Sequence, residues 1–129
     1  MEKLRVIFGR EGLEEVGDQA IPLEIDSVIL PSGIVQPVYL MIYQEEVVID
    51  EIDYLPELID LHKNLVYYFR CRQWWECLDL VPILHGRWAG MADSFYLSLV
   101  DRIKIYSETP PPDTWAGEYW EPNNTEAIT

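Results

Sequence analysis

Apolar and polar positions change their period along this chain. From Ile21, the apolar Leu23 and Ile25 alternate with Glu24 and Asp26, and Val28-Ile29-Leu30 carries the run to Pro31-Ser32-Gly33. Beyond that turn, residues 34–43 are rich in β-branched and aromatic side chains. Two such runs about a short Pro/Gly turn predict a β-hairpin. Pro37 has no amide proton to give a ladder, so it is expected on an edge strand or at a bulge. Residues 1–20 leave two readings open. Leu4, Val6 and Phe8 alternate as in a short strand, whereas Gly12-Leu13-Glu14-Glu15-Val16 fits a helical turn.

After residue 55 the period becomes helical. Pro56 suits a first helical turn. Leu58, Leu61, Leu65 and Phe69 then form a stripe that Ile59, Val66 and Tyr68 widen, opposite a face of Asp60, Lys63, Asn64 and Tyr67. A second stripe, Trp74, Leu78 and Val81, follows after so few residues that the two helices must fold back as an αα-hairpin. Pro82 is expected to end or kink the second helix near Val81, leaving 85–90 as a loop. A third helix, with Asp93 or Ser94 as its cap, carries Tyr96, Leu99, Val100, Ile103 and Tyr106 on one face. Pro110-Pro111-Pro112 stops it. The tail that follows contains Trp115, Tyr119 and Trp120 and ends in polar residues expected to fray.

The predicted architecture is therefore α+β: a small antiparallel β-hairpin element, a three-helix, tetratricopeptide-like bundle and an extended aromatic tail. At 129 residues it is read as a single domain. Within it, 1–46 is β-rich, 47–55 is an acidic connection, 56–108 is helical and 109–129 is the Pro/Trp tail.

Composition narrows the classes of function. Twenty-three acidic against nine basic residues give a net charge of −14. That sign disfavours nucleic acid, whose phosphates need Lys and Arg, and an anionic membrane surface. It permits a basic protein partner, although many acidic proteins are acidic for solubility alone. No apolar run approaches the roughly 20 residues of a membrane span. Met1-Glu2-Lys3-Leu4-Arg5 is followed by no extended apolar region, so no signal peptide and a cytoplasmic location are expected.

The run Phe69-Arg70-Cys71-Arg72-Gln73-Trp74-Trp75-Glu76-Cys77-Leu78 resembles Y-R-x-R-D-W-x-E-A-L. That is the turn of a tetratricopeptide-like hairpin closing many bacterial class III adenylate/guanylate cyclases. Phe95-Tyr96-Leu97 is similar to the L-Y-L-type run of that family's next helix. Pro111-Pro112-Asp113-Thr114-Trp115-Ala116-Gly117-Glu118-Tyr119-Trp120 resembles its P-P-D-W-D-G-x-W ending, with Thr114 inserted and Ala116 in place of Asp. Upstream, residues 30–38 resemble the L-K-G-x-x-x-P-V hairpin that ends the cyclase domain, although Leu40-Met41 stands where the family has V-Y. The pieces span roughly residues 17–120 in consistent order. The family's catalytic parts are missing: no D-I-x-G-F-T-like strand supplies metal-binding Asp residues, and no N-x-x-A-R-like helix precedes Asn64. The resemblance thus implies the regulatory end of a cyclase without the cyclase.

Residues with chemical potential point the same way. Cys71 and Cys77 are spaced C-x₅-C, unlike C-x-x-C metal or redox motifs, and the resembled pattern places small residues at both. Both are expected to be free thiols buried between helices. His62 and His85 belong to no H-E-x-x-H arrangement. His62 beside the apolar stripe is expected to be a hydrogen-bonded packing residue, and His85-Gly86 to mark a helix C-terminus. The acids of 44–57 lack the central Gly of an EF-hand loop. Gly9-Arg10-Glu11-Gly12 lacks the spacing and the Lys of a P-loop. No cofactor or metal and no enzymatic activity are expected. The five tryptophans are many for this size, and interfaces favour Trp.

The sequence therefore predicts a non-enzymatic protein-protein interaction or regulatory module, its partner cyclase-like or a second copy that covers an open sheet edge. The alternative is an acidic decoy, of the inhibitor or immunity type, that masks a basic partner. Candidate contact residues are Trp75, Trp88, Glu45, Glu46, Asp50, Glu51 and Asp53.

Overall fold

The computed structural model describes residues 6–11, 13, 20–115 and 117–118. It is an α+β fold in which three antiparallel strands carry three helices on one face. Strands β2 (Ala20–Ile29) and β3 (Val35–Tyr43) form the predicted hairpin. Its turn closes through Gly33 N–H donating to Leu30 O at 2.8 Å, with Gly33 at φ 89°, a conformation in which glycine alone is unstrained. Strand β1 (Val6–Phe8) pairs with the far side of β3, so the order is β1-β3-β2. Ile7 is the buried residue of β1, and Val6 and Phe8 are exposed. Leu4, Gly12 and residues 14–16 lie outside the described residues.

Pro37 corrects the expectation of an edge or a bulge. It sits in β3, the central strand, opposite Ser27, while the register shift falls between Glu24 and Asp26. Pairing with β1 stops at Phe8↔Val38, and the Pro37 carbonyl accepts from Gly9 N at 2.8 Å. In a strand, N–H and C=O of one residue point to the same side. The missing proton therefore faces β1 where that strand ends.

Alternation divides the sheet residues. Leu23, Leu40 and Ile42 face the helices, whereas Ile7, Ala20, Tyr39, Met41 and Tyr43 form a smaller cluster with Leu13. The acidic connection is wound into two short 3-10 turns, Gln44–Glu46 and Ile49–Tyr54. It leads into α1 (Leu55–Arg70), where Pro56 occupies the first turn as expected. Helices α2 (Trp74–Leu84) and α3 (Asp93–Glu108) complete the bundle. Leu58, Leu65, Phe69, Val81, Tyr96, Leu99, Ile103 and Tyr106 from the predicted stripes are buried in one core.

Two boundaries differ from expectation. Pro82 does not end α2, which continues to Leu84, with His85 N still donating to Val81 O at 2.8 Å. The proline is exposed and so near the end that only the bond to Leu78 O is forfeited. At α3 neither Asp93 nor Ser94 is the cap. Ala92 is, and the Asp93 carboxylate instead accepts from Gly86 N at 2.7 Å and lies 3.7 Å from His85 Nε2.

The α1–α2 turn explains the tail. Gln73 N donates to Tyr68 O at 2.9 Å and Arg72 N to Phe69 O at 3.1 Å, the paired bonds of a Schellman ending. Its left-handed position is usually glycine, but here it is Arg72 at φ 61°. That conformation costs an L-residue about 1–2 kcal/mol, and it aims the guanidinium at the tail. Nη1 donates to Pro111 O at 2.9 Å, Nη2 to Pro112 O at 2.6 Å, and the group lies 5.4 Å from the Trp115 ring centroid. Trp115 is buried against Phe69, Trp74 and Tyr106. Tyr119 and Trp120 lie outside the described residues.

Removing a buried tryptophan costs about 3–5 kcal/mol. Trp115→Ala should therefore destabilise the protein by that amount in urea unfolding, and an unchanged midpoint would show a tail that is not part of the core.

Candidate functional site

The chemically suggestive groups converge inside the molecule. His62, buried on α1, has its Nδ1 2.9 Å from the Tyr96 hydroxyl and its Nε2 2.7 Å from the Glu24 carbonyl. A carbonyl only accepts, so Nε2 carries the proton and Nδ1 accepts from Tyr96. The Tyr96 oxygen in turn accepts from Trp88 Nε1–H at 2.9 Å. Every proton in the chain Trp88–Tyr96–His62–Glu24 thus has one place. Burial lowers the His62 pKa from 6.5 to about 4, against the opposing effect of its bond to Glu24, so the ring is neutral at pH 7. Burial likewise raises that of the Tyr96 hydroxyl. This is the packing histidine that the sequence predicts, with both nitrogens engaged.

Trp88 is corrected as a candidate contact. It is fully buried, and its backbone is left-handed (φ 57°), as is that of Ala89 (φ 53°). Such strain persists where packing over-determines it, and here the indole is seated in the core and bonded to Tyr96. The cysteines divide. Cys77 is buried, which pushes its thiol up to about 12, while Cys71 is exposed, contrary to expectation, because it caps the end of α1 on the solvent side.

The acidic candidates also divide. Asp50, Asp53 and Glu45 are exposed and Glu46 is half-buried, accepting from Tyr43 N at 2.9 Å. Glu51 is corrected as a contact: it is buried, with Oε2 3.4 Å from Arg87 Nη1. Asp50, Glu51, Glu57 and Tyr54 rim a groove of about 410 Å³ floored by Leu58 and Leu61. A second cleft, of about 310 Å³, lies between β2 and α1, lined by Pro22, Tyr39, Ile59, Val66 and Tyr67 together with Glu24, His62, Lys63 and Arg70. Among the described residues no group of three or more His, Cys, Asp or Glu is placed to hold a metal ion, and no helix is long and apolar enough to cross a membrane.

Trp75 is a large apolar side chain left on the outward surface. Adjacent helical residues point about 100° apart, so Trp74 and Trp75 cannot both face the core. Trp74 packs on Phe69 and Trp115, and Trp75 is left 80% exposed. Helix α2 carries only Glu76 and Asp79 as charges among eleven residues, a composition usual for a helix covered on all sides. Its outer face nevertheless lies open.

Besides Arg72, two arginines that sequence reasoning passed over prove structural. Arg70 pairs with Glu24 at 2.7 Å and donates to Ser27 Oγ at 3.0 Å. Arg102 is buried, 4.9 Å from the Phe69 centroid, with Nη2 3.4 Å from Gly117 O and Nη1 3.7 Å from Asp26 Oδ1. Its place between Leu99 and Tyr106, on the apolar face of α3, is the signal that marks it. No protein-family model, curated protein or solved structure matches this chain.

The His62 network has a pH signature. Above pH 6.5 the ring is neutral in both folded and unfolded chains, and its burial is tolerated without penalty. As the pH falls through 6.5 towards about 4 the unfolded chain alone takes up the proton, so stability is lost. Between pH 7 and pH 5 this single group should remove about 2 kcal/mol, at about 1.4 kcal/mol per unit once below the unfolded pKa. Urea unfolding of parent and His62→Gln at both pH values should show the loss in the parent and its absence in the variant. An equal loss in both would place the titration elsewhere.

Proposed function

We propose that the protein works by docking onto another protein, with no reaction of its own, and that the contact is the outer face of α2 centred on Trp75. The observation that carries this reading is the 80% exposure of Trp75 on a helix with two charged residues. A tryptophan so exposed keeps a large apolar surface in water, and interface energetics concentrate in such residues. His62, Cys77, Tyr96, Trp88 and Arg102, the groups a reaction or a ligand would use, are engaged in packing.

The resemblance to the regulatory end of class III cyclases is part of the proposal. Two of its separate pieces meet in space, because Arg72 of the R-x-R run clamps Pro111 and Pro112, and Trp74 lies 6.2 Å from Trp115. Joint occurrence of R-x-R-x-W and P-P-D-x-W therefore has a physical basis in this chain. A stand-alone relative of that end, acting on a cyclase-like partner in the cytoplasm, fits this arrangement.

A second reading, the acidic decoy, is favoured by the inward use of Arg70, Arg72 and Arg102, which leaves exposed Asp50, Asp53, Glu57 and Asp60 on the connection and the start of α1.

The experiment is Trp75→Ala in the intact chain. Exposed substitutions change stability by about 0.5 kcal/mol or less, so the variant should unfold like the parent. A photo-crosslinker at the neighbouring exposed position 76 should capture a defined partner from the source cells, and adding Trp75→Ala should lose it. Loss of that partner on raising salt, with Trp75→Ala retaining it, would favour the decoy. Micromolar ATP binding with Mg²⁺ or Mn²⁺ in calorimetry would overturn both readings.

A further inference from the structure

Helices α2 and α3 carry the same three-position stripe on their exposed sides. On α2 it is Trp75, Asp79 and Ile83, and on α3 it is Leu97, Asp101 and Ile105. Positions i, i+4 and i+8 lie one above another on a helix. Each stripe is therefore apolar, acidic, apolar in that order. All six residues are exposed, Ile83 to 46%, Leu97 to 55% and Ile105 to 46%. None belongs to the buried face of its helix, which runs through Cys77, Val81 and Leu84 on α2 and Tyr96, Leu99 and Ile103 on α3.

The position of the acid decides the occupant. Because Asp stands at the centre of each stripe, in-register pairing of two copies places Asp opposite Asp. This holds for α2 on α2, α2 on α3 and α3 on α3, and for parallel and antiparallel helices alike. Glu76 adds a further charge beside Asp79, and Lys104 is the one cation on the two outer faces. Desolvating two facing carboxylates is costly, and like charges across an interface exclude a partner. The net charge of −14 repels a second copy at longer range as well. A complementary surface has the opposite order, with a cation between apolar side chains one helical turn away on either side.

We propose that the outer faces of α2 and α3 take a basic amphipathic helix of a partner protein, whose Arg or Lys side chains meet Asp79 or Asp101 between apolar residues, and that this charge pattern excludes a second copy of the chain. The inference rests on the docking reading of Trp75 and adds the chemistry of the partner. Long cationic side chains suit the site because their methylene stems can lie on Trp75 or Leu97 while the charged end reaches the carboxylate.

The test uses the full chain and two fluorescein-labelled, alanine-based helical peptides. One has leucines a turn either side of a central arginine, and the other has glutamate at the centre. The parent should bind the arginine peptide at least about tenfold more tightly than the glutamate peptide, the effect of one well-placed charge pair. The preference should weaken with salt. Asp79→Lys with Asp101→Lys should reverse it, Asp79→Asn with Asp101→Asn should flatten it, and circular dichroism should confirm that both variants fold. Sedimentation velocity should show a monomeric parent.

Equal affinity for the two peptides, lost in Trp75→Ala, would overturn the charge-selected partner and leave the docking face standing. Self-association of the parent that Trp75→Ala abolishes would do the same and make a second copy the occupant. Peptide binding unaffected by Trp75→Ala, or no binding of the arginine peptide at all, would overturn the inference; the first result would also remove the docking face.

Discussion

The sheet and the helices are held in one arrangement by a chain of buried hydrogen bonds running from Trp88 through Tyr96 and His62 to the Glu24 carbonyl. It joins the α2–α3 connection, α3, α1 and β2, four pieces that apolar packing alone would leave free to slide. Each group has one role: the indole donates, the hydroxyl accepts and donates, the imidazole accepts and donates, and the carbonyl accepts. A buried network that is satisfied throughout specifies a single packing, whereas one broken link would leave a costly orphan. The left-handed backbone of Trp88 and Ala89 is tolerated because it delivers the indole to that chain.

A second set of contacts extends the domain beyond its helices. Arg72, Arg102 and Arg70 bind the tail and the β2 edge from three directions, with Trp115 filling the aromatic space among Phe69, Trp74 and Tyr106. Gly117 fits here because a Cβ would come within 2.7 Å of the Arg70 Cγ, and its φ is 101°. These cations are used on backbone carbonyls and on the part-buried carboxylates of Glu24 and Asp26.

The helical stripes were legible because their period is local: Leu58, Leu65, Phe69, Val81 and Tyr96 needed only their neighbours to show which face was inward. The adjacency of Trp74 and Trp75 carries a similar local signal, since residues about 100° apart cannot both face the core. What escaped depends on distant partners. Glu51 reads as one more solvated acid until Arg87, 36 residues away, is brought to it. Trp88 reads as a loop aromatic until two left-handed residues turn it inward, and Pro37 reads as an edge residue until β1 stops beside it. The exposed Ile83, Leu97 and Ile105 carried a legible signal, since each lies off the apolar stripe of its own helix. That signal becomes informative only once Asp79 and Asp101 are seen at the centre of each exposed row.

By the reading proposed above, the polar groups of His62, Tyr96 and Trp88 are used in holding the fold, and the outer faces of α2 and α3 are what a partner would meet. Nitrogen-15 resonances of the His62 imidazole test it most directly. The account predicts a single neutral tautomer, proton on Nε2, unchanged from pH 8 to about pH 5, with the Trp88 indole proton protected from exchange. A titration of His62 near pH 6.5, or a proton on Nδ1, would contradict it: the chain of bonds would then be open, and His62 would be a group available for chemistry.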